Sequence, residues 1–247
     1  MSDTGDNLSV TLKKIFIITP FPEMVEAVLG ESILRRAAEK KIVEYHIINL
    51  RDYATGKFKQ IDDYPFGGGT GMIMMPEPIM KAMDRVKEID TSASNMSVIF
   101  PTPQGEQLTQ EKSWKLSRSE ALVFISGHYK GMDERIRESI ITDEISIGDY
   151  VLTNGELPTL VILDTVVRLI PGVLGDEESA NSDSFTNELL DHPHYTRPAE
   201  VRGLQVPEVL LSGHHSRIEE WRLKQREKRT RSRRPDLWKA YKGKQTS

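Results

Sequence analysis

The sequence predicts an α/β domain on a mostly parallel sheet, followed by a small helical domain, and three observations predict it. Short β-branched or apolar runs alternate with helical patterns from Lys14 to Ile170. A polar, acidic stretch with no periodic apolar face, Gly175 to Asn187, then interrupts that alternation. Beyond it Pro193, Pro198 and Pro207 break up the chain, and from Ser212 a helical pattern interleaves Ile218, Trp221 and Leu223 with basic residues. The expected organisation is an N-terminal extension over 1–12, read as disordered, a first domain over 13–174, a flexible linker over 175–188 and a helical domain over 189–247.

In chain order, the apolar and β-branched runs read as strands at Lys14–Thr19, Tyr45–Leu50, Ser97–Phe100, Ala121–Ser126 and Glu144–Ile147. Between them, helical spacing predicts helices at Glu23–Leu29, Ile33–Lys40, Glu77–Ile89, Thr109–Leu116, Glu134–Ile140 and Leu157–Leu169. The last carries Pro158 in its first turn, where the missing N–H has no helical partner to lose.

With 247 residues and 38% hydrophobic content the chain can bury a sizeable core. No run approaches the roughly 18–20 apolar residues of a membrane span, and the first residues lack a secretory pattern, so a soluble, cytoplasmic protein is expected. The chain has no cysteine, which removes disulfides, thiolate metal sites and cysteine nucleophiles, including the covalent adduct used to methylate pyrimidine carbon. The net charge of −4 hides an asymmetry: residues 217–244 hold 12 Lys and Arg against 4 Asp and Glu, while the remainder is −12. An acidic body with a basic C-terminal segment points to a nucleic-acid partner.

Three loops each follow a predicted strand: Pro101-Thr102-Pro103-Gln104-Gly105, Gly127-His128-Tyr129-Lys130-Gly131, and Gly148 to Gly155. In open α/β sheets the ligand crevice lies at the carboxyl ends of strands, and glycines there admit close backbone approach, although tight turns alone also use them. Neither phosphate-cradling glycine pattern occurs in the chain, which argues against a dinucleotide or triphosphate. Backbone groups at Ile147, Tyr150 and Leu152 could read an adenine edge, so a nucleoside without phosphates fits.

Four motifs carry a resemblance: Phe66-Gly67-Gly68-Gly69-Thr70-Gly71-Met72, Ser146 to Leu152, Ile170-Pro171-Gly172-Val173-Leu174-Gly175, and Leu189-Leu190-Asp191-His192-Pro193-His194-Tyr195-Thr196-Arg197-Pro198. In this order, from about Ile17 to Trp238, they resemble the bacterial TrmD family of tRNA (guanine-N1)-methyltransferases acting at position 37. The resemblance implies a SPOUT-type fold whose three strand-end loops form a C-terminal trefoil knot holding S-adenosylmethionine. The donor would then contact Pro101, Thr102, Pro103, Gly105, Gly127, Tyr129, Gly131, Ile147, Gly148, Asp149, Tyr150, Val151, Leu152 and Gly155. It also implies a homodimer in which one protomer's pocket works with the linker and C-terminal domain of the other.

Guanine N1 carries a proton at neutral pH, so its methylation needs a general base. By resemblance that base is Asp183, and Arg168 supplies the cation for charge that grows on O6. Gly68 and Gly69 are expected in a wall near the substrate, and Arg222, Lys224, Arg226 and Arg229 on the anticodon stem-loop, with the target nucleotide extruded from its stack. His192, His194, His214 and His215 lack a spaced third ligand, so no metal site is expected from them. Lys130 stands where the family has an acidic residue and Asn154 where a second glycine is common, which leaves magnesium dependence open. A related knotted methyltransferase acting elsewhere on RNA, and a noncatalytic RNA-binding protein retaining the nucleoside pocket, remain as alternatives.

Overall fold

In a computed structural model of the chain, the described residues are 12–91, 96–128, 130–174, 183–185 and 188–245. The expected disorder of the N-terminal extension, Tyr129, and most of the expected linker lie outside them. The chain forms two compact units, residues 1–175 and 176–247.

The first unit runs β1 (Lys13–Thr19), α1 (Pro22–Leu29), α2 (Ser32–Glu39), β2 (Val43–Asn49), β3 (Asp62–Asp63), β4 (Ile73–Met74), α3 (Pro76–Ile89), β5 (Met96–Gln107), α4 (Gln110–Ser117), β6 (Ala121–Ile125), α5 (Glu134–Ser139), β7 (Asp143–Ser146) and α6 (Glu156–Val167). Five strands form one sheet in the order β2-β1-β6-β5-β7, and every pairing in it is parallel. Each expected strand and helix of this region is present, with ends shifted by a few residues.

A parallel sheet needs cover on both faces, and the alternation along β1 provides for it. Ile15 and Ile17 pack with Val25 of α1, Leu34 of α2, Leu116 of α4 and Ile162, Leu163 and Val166 of α6. Phe16 and Ile18 face the other way, into Ile79, Met83 and Val86 of α3 and Ile136 of α5. Helix α6 is apolar on nearly every side, with Leu157 and Val161 on its exposed face, so its sequence carries no amphipathic stripe.

The structure corrects two sequence expectations and adds one element. The strand expected to end at Phe100 runs on to Gln107, since Pro101 and Glu106 both pair with Ile145 and residues 102–105 bulge out between them. Leu50, expected to end a strand, opens a 3-10 turn, Leu50–Tyr53, that the Asn49 side chain caps by accepting the Arg51 N–H at 3.0 Å. The two-residue strands β3 and β4 form a hairpin too short for periodicity to register.

Lys13, at the start of β1, is buried and donates to the Ser119 carbonyl. Burial lowers its ammonium from 10.5 to about 8, against the pull of Glu120. The unfolded chain therefore holds this proton more tightly, and the resulting penalty is complete below pH 8 and vanishes as pH rises to 10.5. Wild type should gain stability relative to Lys13→Met across that window, which urea unfolding at a series of pH values measures. A pH-independent difference between the two would reject the account.

The second unit, expected to be all helical, instead has a hairpin of two-residue strands, β8 (Glu200–Val201) and β9 (Leu204–Gln205), before α7 (Glu208–Leu211), α8 (His215–Arg233) and α9 (Pro235–Gln245). Pro235 falls at the first position of α9, where proline divides two helices without losing a bond. Among the described residues no helix is long and apolar enough to cross a membrane.

Candidate active site

At the carboxyl ends of β5, β6 and β7 lies a cavity of about 430 Å³, within the size range of small-molecule sites. The bulge of β5, the turn after β6 and the segment from β7 to α6 line it. Of the residues expected on the donor, Pro101, Thr102, Pro103, Gly127, Gly131, Ile147, Gly148, Tyr150, Val151, Leu152 and Gly155 lie on its wall. Gly105 and Asp149 do not line it, and Tyr129 lies outside the described residues. Gly105 serves the sheet instead, because a Cβ there would sit 2.4 Å from the Ile145 nitrogen, and only a glycine lets β5 return to β7.

Hydrogen bonds fix the segment after β7. The Ser146 hydroxyl lies 3.2 Å from the Gly148 N–H and 3.1 Å from the Gly148 carbonyl, and the Tyr150 hydroxyl donates to Ile147 O at 3.2 Å. At its far end the Gly155 N–H donates to Gly127 O at 2.7 Å, and a Cβ on Gly155 would stand 2.3 Å from the Gly127 nitrogen. Two of the three stretches are thus locked backbone to backbone.

Several wall residues had no sequence expectation as ligand groups. His128 Nε2 lies 2.9 Å from Glu156 Oε2, and the Thr19 hydroxyl donates to Glu156 Oε1 at 2.6 Å. Glu156 is fully buried at the start of α6, so this chain ties the ends of β1 and β6 to the helix. The signal was a carboxylate just before Pro158 at the head of an apolar helix, where only a buried partner makes it tolerable. Arg137 lines the cavity too, and its fork grips Glu144 of β7 at 2.9 and 2.5 Å.

Asn154 lines the cavity, and its Oδ1 is buried with no hydrogen-bond partner among the described residues. A buried acceptor left unpaired is costly unless a ligand satisfies it. The wall mixes apolar side chains with Thr102, Gln104, His128, Lys130 and Arg137, which suits a polar ligand that also has an apolar face.

The comparison with known proteins decides among nucleoside-binding folds. The sequence profile of the tRNA (guanine-1)-methyltransferase family, TrmD, matches residues 13–240. The chain belongs to the TrmD family. It is 54% identical over 226 residues to a tRNA (guanine-N(1)-)-methyltransferase of Bacillus subtilis, covering 92% of each chain. Proteins of the same name from Shouchella clausii and Bacillus cereus are 52% and 55% identical, the alignments covering 92% and 91% of each chain. The expected kinship is therefore borne out.

Within this TrmD chain, Lys130 lies on the cavity wall with its stem against Gly71 and its ammonium 3.3 Å from the Thr70 hydroxyl. It thus ties the glycine loop between β3 and β4 to the turn after β6. Gly68 and Gly69 are at that loop's tip, with φ of 80° and 111° and open space where a Cβ would be.

Arg168 closes α6, its N–H donating to Asp164 O at 3.3 Å, and is half-buried. Asp183 belongs to the second unit, half-buried at a bend. There Arg222, Arg226 and Arg229 share one half-buried face of α8, and Arg229 donates to Asp191 O at 3.2 Å. Lys224 is exposed and paired with Glu220 at 2.6 Å. Thr230, fully buried, accepts the Leu190 N–H at 2.8 Å, so α8 holds the segment after the expected linker.

Proposed function

We propose that this protein methylates N1 of guanosine 37 in tRNA, with S-adenosylmethionine as methyl donor. The observation that carries the reading is a cavity lined by the three strand-end loops, with Asn154 among its residues, in a chain of the TrmD family. The donor supplies an electrophilic methyl on a sulfonium. Asn154 Oδ1 accepts from one of its donor groups, and the amides of the β7–α6 segment read its base. Asp183 takes the N1 proton as the nitrogen attacks, and the Arg168 guanidinium offsets the charge that moves to O6. Transfer is direct, which accords with a chain that has no cysteine to form a thiolate adduct.

The basic second unit would hold the anticodon stem-loop by its phosphates, residues 175–188 serving as the linker between domain 13–174 and domain 189–247. A tRNA substrate supports a cytoplasmic location. The trefoil knot is supported by the backbone-tight crossings at Gly105 and Gly155. A homodimer is supported by a surface on helices that pack together: Met24 and Val28 on α1, Leu157 and Val161 on α6, each apolar and 36–48% exposed.

Nucleoside mass spectrometry on a tRNA transcript incubated with protein and donor should find 1-methylguanosine, and none when guanosine 37 is replaced. Methylation that survives that replacement assigns another position. Binding of tRNA without any methylated product favours the noncatalytic reading.

A further inference from the structure

We infer that Asp191, His192 and His194 form a binding site for a divalent first-row metal ion of the zinc type. The sequence offered two close histidines and no third ligand, but the fold brings in a carboxylate. One ligand atom from each residue lies within 4.8 Å of the others. His194 Nε2 is 2.7 Å from Asp191 Oδ2, and His192 Nε2 is 3.8 Å from Asp191 Oδ1. Ligands on a tetrahedral zinc ion are roughly 3.4 Å apart, from bonds of about 2.0–2.1 Å, so small side-chain shifts close the set.

The His192 tautomer favours a cation there, and the ion would displace the proton that His194 Nε2 donates to Asp191 Oδ2. His192 Nδ1 stands 3.1 Å from the Pro193 carbonyl, an acceptor that holds the proton on Nδ1 and leaves Nε2 its lone pair. That lone pair faces a carboxylate oxygen beyond hydrogen-bond range, two electron-rich atoms with room between them. A carbonyl accepting from the far nitrogen is also what orients a metal-ligating histidine.

The frame around the site is fixed before any ion arrives. The Asp191 N–H donates to the Ser184 hydroxyl at 3.0 Å, the His192 N–H to Asp191 Oδ1 at 2.6 Å, and Arg229 holds the Asp191 carbonyl. The Trp221 ring of α8 meets His192 edge-on at 6.4 Å. Three protein ligands leave a fourth position for water or an oxygen of a bound molecule. Through Ser184 the ion would brace the segment next to Asp183.

The test uses the untagged full-length chain, stripped with chelator and titrated with zinc chloride by calorimetry, without tRNA or donor, so it stands apart from the methyl-transfer reading. One zinc ion per chain is expected. His194→Gln should weaken binding more than about 100-fold, beyond the cost of losing an outer partner. His194 is 68% exposed, so this substitution leaves the fold intact. A variant with His214→Ala and His215→Ala should bind as wild type does. Substoichiometric binding by wild type, unchanged binding by His194→Gln, or loss in the 214/215 variant would each overturn the site.

Discussion

Asp183→Asn should bind S-adenosylmethionine as wild type does and yet lose turnover by about 10²–10⁴, the usual contribution of a positioned base. Asparagine keeps the size of the side chain and its hydrogen-bonding reach, but cannot accept the proton that must leave guanine N1. Donor binding is spared because the cavity belongs to the first unit and Asp183 to the second. Calorimetry with the donor and single-turnover methylation of tRNA separate the two quantities. Unchanged turnover would falsify the assignment of the base, and lost donor binding would show that Asp183 shapes the cavity instead.

Gly155→Ala should damage both stability and donor binding. The backbone at this position has φ of −89°, which alanine adopts freely, so the effect is crowding alone. The new methyl would stand 2.3 Å from the Gly127 nitrogen and 2.9 Å from the Gly127 oxygen and the Ser126 carbonyl carbon, all backbone atoms with no rotamer to yield. Overpacking of this kind costs roughly 1–3 kcal/mol, occasionally more. The turn after β6 must move away from the β7–α6 segment, and donor affinity should fall at least about tenfold. Urea unfolding and calorimetry read the two losses, and a variant matching wild type in both would mean that the crossing is looser than described.

The core of the first unit was legible because its strands are short apolar runs and its helices carry clear spacing. Burial on both sheet faces made β1 read as a continuous apolar stretch, the pattern that marks a parallel strand. What escaped were features that depend on distant partners. Nothing local told that Pro101 and Glu106 would share Ile145, because a bulge is decided by the strand it faces. The three strand-end loops were recognisable as a site from their glycines, and most of their residues do line one cavity. The Glu156–His128 contact was not, since the two residues stand 28 positions apart in the chain and meet only after the sheet has formed. Asp191 was overlooked for a related reason: a search for histidine spacing does not weigh a carboxylate that folds back onto the pair.

The position of β1 between β2 and β6 has a consequence during synthesis. Its neighbour β6 begins at Ala121, so the N-terminal strand emerges long before one of its two hydrogen-bonding edges can be filled. At about 5–20 residues per second, a ribosome needs several seconds or more to deliver that partner. In the interval β2 can dock on one side, while the opposite edge of a very apolar strand stays open to chaperones or to a neighbouring nascent chain.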